Sequence, residues 1–518
     1  MPRSGGRRDG HSKSGDKKIM NKKTTILAID QGTTSTRSII FDRDATPLAT
    51  SRIEFAQHYP DHGWVEHDAE EIWRDALSTA RAAIEQGGGV DAIAALGITN
   101  QRETIVVWDR ATGTPIHRAI VWQDRRTASM CARMRQDGCE GLVRDRTGLL
   151  LDPYFSASKL AWMLDNVPGA RASAEAGRLA FGTIDSFLLW RLTGGRVHAT
   201  DVTNASRTLL FDIHRQVWDD DLLRLFGIPA ALLPEVRGNS EIYGETDPAL
   251  FGRPIPVAGM AGDQQAALVG QACFAPGMAK ATYGTGCFVL LNTGTAPVQS
   301  ANRMLTTIGY RIGDRTTYAL EGAIFVAGAA IKWLRDGLHL ITHASQTDDM
   351  ATRIPHSHGV YMVPGFVGLG APHWDPEARG LICGLTLDAT AAHIARAALE
   401  SVAYQTYDLM AAMAQDGGGA VTTLRVDGGM AANDWFCRFL SDVLQARVER
   451  PRHLETTATG AAFLAGLATG VWTDLDDVAA RRARGSLFQP TMDLAQRGTM
   501  LDGWHQAVRR TLTADASA

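Results

Sequence analysis

Three features that are common in other classes of protein are scarce or missing in this sequence. No apolar run approaches the ~18 residues that cross a bilayer, so we expect no stable insertion into a membrane. The six cysteines are scattered and no two form a Cys-x-x-Cys pair, which disfavours structural zinc and a disulfide framework. Free thiols of this kind fit a cytoplasmic, reducing location. The pattern Gly-x-x-x-x-Gly-Lys-Ser/Thr is also missing, so a P-loop is excluded.

The overall composition is that of a globular protein of several domains. The chain has 518 residues, of which 45% are hydrophobic and 21% charged, and this length allows two to four domains at ~100–200 residues each. A formal net charge of −4 gives no reason to expect a nucleic-acid partner. Residues 1–23 differ, because they are basic, rich in Gly and Ser and nearly free of apolar residues. We expect a disordered tail there rather than a signal peptide, which needs an apolar segment.

Strand-like segments alternate with helical patterns along the chain, which predicts an α/β fold. The stretch ILAIDQGTTSTRSIIFD at 26–42 predicts two strands joined by a turn of small polar residues. EHDAEEIWRDALSTARAAIEQ at 66–86 has helical spacing with acidic residues in its first turn. The strand–turn–strand pattern returns roughly 250 residues later in GMAKATYGTGCFVLLNTG, at 277–294. One interpretation is a duplicated architecture with a cleft between the halves, and the other is a coincidence of two Gly/Thr turns.

The first turn has the composition of a phosphate-binding site. Asp30 ends a strand, where a carboxylate can hold a metal ion or its water ligands. Thr33, Thr34 and Ser35 offer hydroxyl and backbone N–H donors, and Arg37 adds a cation that can pair with phosphate. Donors that face a nucleotide, with Mg²⁺ held by a carboxylate, are what phosphoryl transfer needs. The alternative is an ordinary polar hairpin tip.

Further segments carry the residue types that bind a small polyhydroxylated ligand. GITNQRETIVVW puts Arg102 and Glu103 between two apolar strands, as either a surface ion pair or a donor and acceptor in a cleft. AGMAGDQQAALVG puts Asp263 and Gln264 at the start of a helix. Asp263 is there either an N-cap or a general base, whose neighbouring amide orients substrate hydroxyls. LDPYFSASKLAWML adds Tyr154 in a Pro-containing loop before a helix.

The segment VDGGMAAN predicts a strand-to-helix turn that suits a nucleoside. Gly429 lets a flat base approach the backbone, and Asn433 offers amide hydrogen bonds nearby. A tight turn of any α/β fold is the alternative interpretation. In AIVWQDRR, Trp122 is the tryptophan that we expect beside the carbon backbone of a ligand.

Taken together and in this order, eight segments closely resemble the FGGY carbohydrate kinase family, and within it the branch that phosphorylates glycerol. The segments are DQGTTSTR, GITNQRE, DPYFSASKLAW, GTIDSFLLWRLTGG, AGDQQAALVGQ, TYGTGCF, GLGAPHWDPEARG and RVDGGMAAN. The resemblance extends from about Thr24 to about Trp504. It implies two actin-like (ribonuclease-H-like) domains, residues 24–271 and 272–518, that close over a cleft.

The same resemblance implies the substrates and their sites. Glycerol and ATP, with Mg²⁺, would give sn-glycerol 3-phosphate and ADP by in-line transfer, with Asp263 as general base and Asp30 near the metal. The residues implied for glycerol binding are Arg102, Glu103, Trp122, Tyr154, Asp263, Gln264 and Phe288. Those implied for nucleotide binding are Thr33, Thr34, Ser35, Arg37, Thr285, Gly328, Lys332, Gly429 and Asn433. Lys332 stands where the family commonly has glutamine, and a long cation there can still reach ribose or base.

The resemblance also implies a homodimer or a homotetramer. Two other functions remain open at this point. In one, the chain phosphorylates another short polyol or a ketose. In the other, it is an actin-like or chaperone-like ATPase that binds protein partners. The second alternative predicts ATP turnover that is independent of any polyol, and it gives no role to the QRE and DPYFS segments.

Overall fold

A computed structural model describes residues 24–482 and 484–513 of the protein. The predicted disordered tail, residues 1–23, lies outside the described residues. The described chain forms two large mixed sheets, one four-stranded sheet, three two-stranded sheets and the helices around them. All six cysteines are free, as their scattered positions predict. In the two described ranges, no helix has the length and apolar character needed to cross a membrane.

The secondary structure alternates between strands and helices along the whole described chain. The strands are β1 (Thr25–Gln31), β2 (Ser35–Phe41), β3 (Pro47–Glu54), β4 (Glu66–His67), β5 (Ile93–Asn100), β6 (Ile105–Asp109), β7 (Ala119–Ile120), β8 (Leu179–Thr183), β9 (Ala199–Asp201), β10 (Phe211–Asp212), β11 (Val217–Trp218), β12 (Glu235–Arg237), β13 (Ser240–Glu245), β14 (Pro256–Gly262), β15 (Ala279–Tyr283), β16 (Cys287–Gly294), β17 (Leu305–Ile312), β18 (Arg315–Ile324), β19 (Tyr361–Val363), β20 (Leu381–Cys383), β21 (Thr423–Asp427), β22 (Arg447–Pro451) and β23 (Arg484–Phe488). The helices are α1 (Ala69–Gln86), α2 (Ala128–Gln136), α3 (Glu140–Thr147), α4 (Ser156–Asn166), α5 (Ala170–Glu175), α6 (Ile184–Leu192), α7 (Val202–Ala205), α8 (Asp220–Phe226), α9 (Pro248–Phe251), α10 (Asp263–Gly270), α11 (Gly328–Asp336), α12 (Gln346–Thr352), α13 (Ala391–Met413), α14 (Asp434–Leu444), α15 (Thr456–Ala468), α16 (Leu475–Arg481) and α17 (Leu494–Arg509).

The first large sheet has the strand order β13-β14-β5-β1-β2-β3. Strands β1 and β2 pair as an antiparallel hairpin, while β1, β5 and β14 run parallel to one another. The central strands are buried along nearly their whole length, which explains why they are continuous apolar runs instead of alternating ones. Helix α1 covers part of this sheet and begins with Asp68, whose carboxylate accepts the N–H groups of Glu70 and Glu71. The predicted first hairpin and first helix are therefore confirmed.

The second large sheet repeats the plan of the first. Its order is β17-β18-β16-β15-β21-β22-β23, with β15 and β16 as an antiparallel hairpin and β21 parallel to β15. Each sheet thus has a hairpin whose first strand pairs in parallel with a later strand. This repetition confirms the duplicated architecture that the two Gly/Thr turns predict.

Helix α15 comes late in the chain, yet it packs against the first sheet. Its small residues allow this contact, because a Cβ atom on Gly97 of β5 would lie 2.3 Å from the carbonyl oxygen of Ala461. The approach to α10 is equally close, since a Cβ on Gly460 would lie 1.8 Å from the carbonyl oxygen of Ala266. The small-residue segment TTATGAAFLAGLATG therefore joins the two halves through close backbone packing.

Candidate active site

The candidate site lies where the parallel strands of the first sheet end. The last residues of β1, β5 and β14 are in register, with Gln31 beside Asn100 and Asn100 beside Gly262. Ligands of open α/β sheets bind outside the carboxyl ends of such strands. Asp30 lies at the end of β1, and Asp263 follows β14 as the first residue of α10.

The QRE corner after β5 turns sharply enough to direct two charged side chains inward. Glu103 has a φ of 51°, in the left-handed region that a residue with a side chain rarely adopts. Both Arg102 and Glu103 are buried, although they form no part of a strand. The interpretation as an exposed surface ion pair is therefore wrong, and the two side chains face the interior between the halves.

Arg102 contacts Asp263 and one aromatic side chain. Its Nε lies 3.2 Å from Oδ1 of Asp263, whose side chain is 30% exposed and so remains accessible. Its Nη2 lies 3.5 Å from the hydroxyl of Tyr154, and burial raises the pKa of that hydroxyl well above its ordinary value. The interpretation of Asp263 as an N-cap is also wrong, because Gly262 occupies the N-cap position and Asp263 is the first helical residue.

A glutamate from the second half of the chain binds the same arginine. Both Nη atoms of Arg102 donate to the carboxylate of Glu321, in β18, and Nη2 does so at 2.9 Å. Arg207 also donates to Glu321, at 3.0 Å, and to Glu103, at 2.7 Å. Burial alone would raise the pKa of Glu321, but the charges of Arg102 and Arg207 outweigh burial and lower the pKa to about 2. Two arginines and two glutamates therefore form a buried cluster that spans both sheets.

Three aromatic side chains form a wall beside this cluster. Trp122 lies edge-on to Tyr154, with ring centroids 5.5 Å apart, and edge-on to Phe288 of β16 at 6.5 Å. The guanidinium of Arg102 lies 6.0 Å from the centroid of Phe288. The structure thus brings the aromatic residues expected around glycerol together with Arg102, and it draws them from both halves of the chain.

Gln264 is held by a buried lysine. The Nζ atom of Lys280, in β15, donates to Oε1 of Gln264 and, at 3.0 Å, to Oγ1 of Thr282. Because the oxygen of the Gln264 amide is occupied, its nitrogen is left as the group available to a ligand. Lys280 also approaches the backbone oxygen of Phe288 at 3.4 Å, which connects the lysine to the aromatic wall.

The first turn lies beside the aromatic wall. Oγ1 of Thr33 accepts a hydrogen bond from Nε1 of Trp122 at 2.9 Å, while Thr34 is exposed and Ser35 is buried as the first residue of β2. Burial raises the pKa of Asp30 to about 6, and the nearby carboxylate of Asp263 contributes in the same direction. The two carboxylates are therefore close enough to repel each other.

Arg37 pairs with a glutamate of the same chain. It forms an ion pair with Glu455, next to the start of α15, and the two side chains are 20% and 44% exposed. The sequence pattern predicts a phosphate partner for Arg37, but in the structure its cation connects the first hairpin with the helix that joins the halves. A solvent-accessible pair of this kind contributes little to stability, so an anion can compete for it.

The second turn, at 284–286, is held by the start of α11. The N–H of Gly328 donates to the oxygen of Gly284 at 3.0 Å, and the N–H of Ala329 donates to the oxygen of Thr285 at 3.0 Å. A Cβ on Gly328 would lie 2.5 Å from that Gly284 oxygen, so glycine is needed for the contact. Thr285 itself is exposed.

The other residues expected around the nucleoside lie on three segments of the second half. Gly429 starts a short 3₁₀ segment, and a Cβ there would meet nothing within 4 Å, so the space beside it is open. Asn433 is the N-cap of α14, where its Oδ1 accepts the N–H of Phe436 at 2.8 Å. Lys332 is exposed on α11. The Asn433 side-chain oxygen is therefore already occupied by the cap, and the Asn433 amide nitrogen lies 3.2 Å from Oγ1 of Thr347.

Family models match both halves of the chain. Residues 25–270 match the N-terminal domain of the FGGY family of carbohydrate kinases, and residues 279–469 match its C-terminal domain. The chain belongs to the FGGY family of carbohydrate kinases. Among curated members, it is 70% identical to a glycerol kinase of Gluconobacter oxydans over 96% of this chain and 97% of that protein. It is 61% identical to a glycerol kinase of Methylobacterium nodulans over 93% and 97% of the two chains.

Solved FGGY structures have the same fold. Plasmodium falciparum glycerol kinase with ADP superposes with a TM-score of 0.90 at 37% identity, covering 95% of this chain and 99% of that chain. Xylulose kinase from Lactobacillus acidophilus superposes with a TM-score of 0.85 at 20% identity, covering 95% and 99%. The second likeness concerns the fold alone, and it agrees with the actin-like two-domain FGGY architecture expected from the motifs.

Sequence reasoning missed three charged residues of this FGGY site: Arg207, Glu321 and Lys280. Glu321 and Lys280 were discoverable in principle, because a charged residue inside a strand of apolar neighbours is buried only with a partner, whereas Arg207 lies in the turn after α7. Glu321 stands alone in YALEGAIF, and Lys280 stands alone in GMAKATYG. The pattern indicates that such a residue needs a partner, but it does not say which one.

Proposed function

We propose that this protein transfers the γ-phosphoryl group of ATP to glycerol, giving ADP and sn-glycerol 3-phosphate. The observation that carries the proposal is the contact of Arg102 with Asp263 beside the aromatic wall, in a chain 70% identical to a protein named glycerol kinase. The Plasmodium relative named for glycerol and solved with ADP supports both the acceptor and the nucleotide.

A three-carbon polyol suits the proposed glycerol site. Arg102, Glu103 and the Gln264 amide supply donors and acceptors, while Trp122 and Phe288 supply an apolar surface for the carbon chain. A buried polar group that loses its hydroxyl partner costs free energy, so the site would discriminate against ligands that lack a hydroxyl.

Asp263 is the proposed general base. Its partly exposed carboxylate would accept the proton of the terminal hydroxyl as that oxygen attacks the γ-phosphorus in line. Arg102 and Glu103 would fix the orientation of glycerol and thereby the stereochemistry of the product. Catalysis would then come from positioning and electrostatics, without a covalent enzyme intermediate.

The two turns are the proposed phosphate sites. Thr33, Thr34, Ser35 and Arg37 would act from the first turn and Thr285, supported by Gly328, from the second. The adenosine would lie beside Gly429, Asn433 and Lys332. The open space next to Gly429 leaves room for the base against the backbone. Closure of the halves would exclude water and limit hydrolysis of ATP.

Asp30 fits the Mg²⁺ that ATP carries. Among the described residues no donor binds its carboxylate, and burial together with Asp263 raises its pKa to about 6, so a cation there would relieve an unfavourable charge. Mg²⁺ in sites that bind a nucleotide uses one or two carboxylates together with water and phosphate oxygens, so a single carboxylate such as Asp30 is sufficient. When bound, Mg²⁺ supplies neutralisation of phosphate charge.

Location and assembly are also proposals. Six free cysteines suit a reducing compartment, so we propose a cytoplasmic enzyme. We also propose a homodimer or homotetramer, which sedimentation of the purified protein would test.

Replacement of the proposed base tests the mechanism. Asp263→Asn should lower turnover by about 10²- to 10⁴-fold, because an amide cannot accept the proton, while glycerol binding measured by calorimetry changes only a few-fold. Asp476→Asn, on the exposed first turn of α16, is the matched control and should keep wild-type turnover. Near-normal turnover of Asp263→Asn would contradict the assignment.

A further inference from the structure

Glu321 belongs to the second sheet but orients a side chain of the first half. It is 1% exposed and accepts hydrogen bonds from both Nη atoms of Arg102. A bidentate contact of this kind fixes the plane of a guanidinium as well as its position. The remaining Nε atom of Arg102 is thereby directed at Asp263, 3.2 Å away. The direction from which Arg102 meets a ligand is therefore set by a residue of the opposite half.

Lys280 of the second sheet orients Gln264 of the first half, as Glu321 orients Arg102. It is fully buried in β15, and its hydrogen-bond acceptors are the Gln264 amide, the Thr282 hydroxyl and the Phe288 backbone, none of which carries a charge. By occupying Oε1, the ammonium determines which end of the Gln264 side chain faces the ligand. In the described part of the chain, the Gln264 amide nitrogen has no hydrogen-bond acceptor, so it remains free to donate.

Stability alone does not account for the charge of Lys280, whereas Glu321 also neutralises the buried cations of Arg102 and Arg207. A buried charge loses its hydration, and apolar residues of similar volume are often as stabilising as a buried ion pair. The penalty is visible at Lys280, where burial lowers the pKa of the ammonium despite the nearby carboxylates of Asp427 and Asp263. A role in orienting Gln264 gives a physical reason for a charge at Lys280, and the two-point contact of Glu321 gives it the same role toward Arg102.

We infer that Glu321 and Lys280 are positioning residues of the second half, which orient the substrate side chains Arg102 and Gln264 of the first half. The inference rests on the proposed function. It means that the acceptor site is complete only while the two halves keep their present relation. Movement of the second sheet would withdraw both supports together and would weaken the recognition of hydroxyl groups.

The test compares two acceptors on the full-length enzyme. The readout is the ratio of kcat/KM for glycerol to kcat/KM for propane-1,2-diol, which lacks one hydroxyl. This ratio does not depend on the fraction of folded enzyme. Glu321→Gln and Lys280→Met should each lower the ratio at least fivefold, mainly by raising KM for glycerol, because Arg102 and Gln264 lose their fixed orientation. KM for ATP should stay within about twofold of wild type.

Glu400→Gln is the matched control, since Glu400 is equally buried and pairs with Arg396 at 2.8 Å within α13. It should lower thermal stability but leave the ratio unchanged. If Glu321→Gln does not fold, Glu321→Asp replaces it, because the shorter side chain keeps the charge but not the two-point contact with Arg102, and the same drop in ratio is expected. A ratio within twofold of wild type in a folded variant overturns the role of that residue. Absence of glycerol phosphorylation in wild type would instead overturn the proposed function.

Discussion

The two hairpin turns have the same topology but are held in different ways. The first has a backbone hydrogen bond from Gly32 to Ser35 at 3.0 Å and is held in addition by side chains, with Trp122 donating to Thr33 and Gln57 donating to the Thr33 backbone oxygen at 2.8 Å. The second is held, among the described residues, by backbone groups, through the N–H groups that start α11 at Gly328. A turn tied by side chains is sensitive to truncation, whereas a turn tied by backbone is sensitive to any added atom. The two proposed phosphate sites of the duplicated fold should therefore respond to different kinds of substitution.

Among the substitutions at the two turns, Gly328→Ala should have the largest effect, because it acts on the turn that is held by backbone. The new Cβ would lie 2.5 Å from the Gly284 oxygen, so the second turn must move. Displacement of a catalytic group by about 1 Å costs about 100-fold in rate, and we expect kcat/KM for ATP to fall by about that factor. Gly498→Ala in α17, where a Cβ meets nothing within 4 Å, is the control and should keep wild-type kinetics. Wild-type kinetics for Gly328→Ala would show that the contact does not matter.

A comparison of Thr33→Val with Thr285→Val tests whether side chains stabilise the first turn more than the second. Thr33→Val removes the acceptor of the Trp122 N–H, and it should lower the free energy of unfolding by about 1 kcal/mol. Thr285 is exposed, so Thr285→Val should change stability by less than about 0.5 kcal/mol. Chemical denaturation of the three proteins measures both values. Equal losses in the two variants would remove the distinction between the turns.

The ion pair of Arg37 with Glu455 gives the smallest expected effect. Both side chains are partly exposed, so its loss should cost only about 0.2–1 kcal/mol of stability. Arg37→Met should in addition raise KM for ATP about threefold if the cation reaches phosphate, whereas Glu455→Gln, which frees the cation, should not raise it. Identical KM values for the two variants would assign Arg37 a structural role only.

Much of the fold could be predicted because its signals are local. The apolar run before Asp30 and the capped, amphipathic segment from Asp68 specify β1 and α1 within a few neighbouring residues. The position of α15 could not be predicted in this way. Its contacts with Gly97 and Ala266 depend on backbone packing between distant segments, and small residues in a sequence indicate only that some close contact exists.

In the candidate site too, positions with a local sequence signal could be predicted and long-range contacts could not. Arg102, Glu103 and Asp263 could be predicted, since each is a polar residue directly after a buried strand. Glu321 and Lys280 could be recognised as lone charges in apolar segments, but their pairing with Arg102 and with Gln264 could not be predicted, because it joins separate elements of the fold and leaves no periodic pattern. Arg37 was predicted to face phosphate, and its ion pair with Glu455 also depends on a contact that only the fold creates.

The central claim is that polar side chains of the first half present glycerol to a nucleotide held between the two turns. Its most direct test measures ADP release by the purified protein as glycerol is titrated at fixed ATP and Mg²⁺. The account predicts a saturable, glycerol-dependent rate with one sn-glycerol 3-phosphate formed for each ADP. An ADP release rate that does not change with glycerol would contradict it.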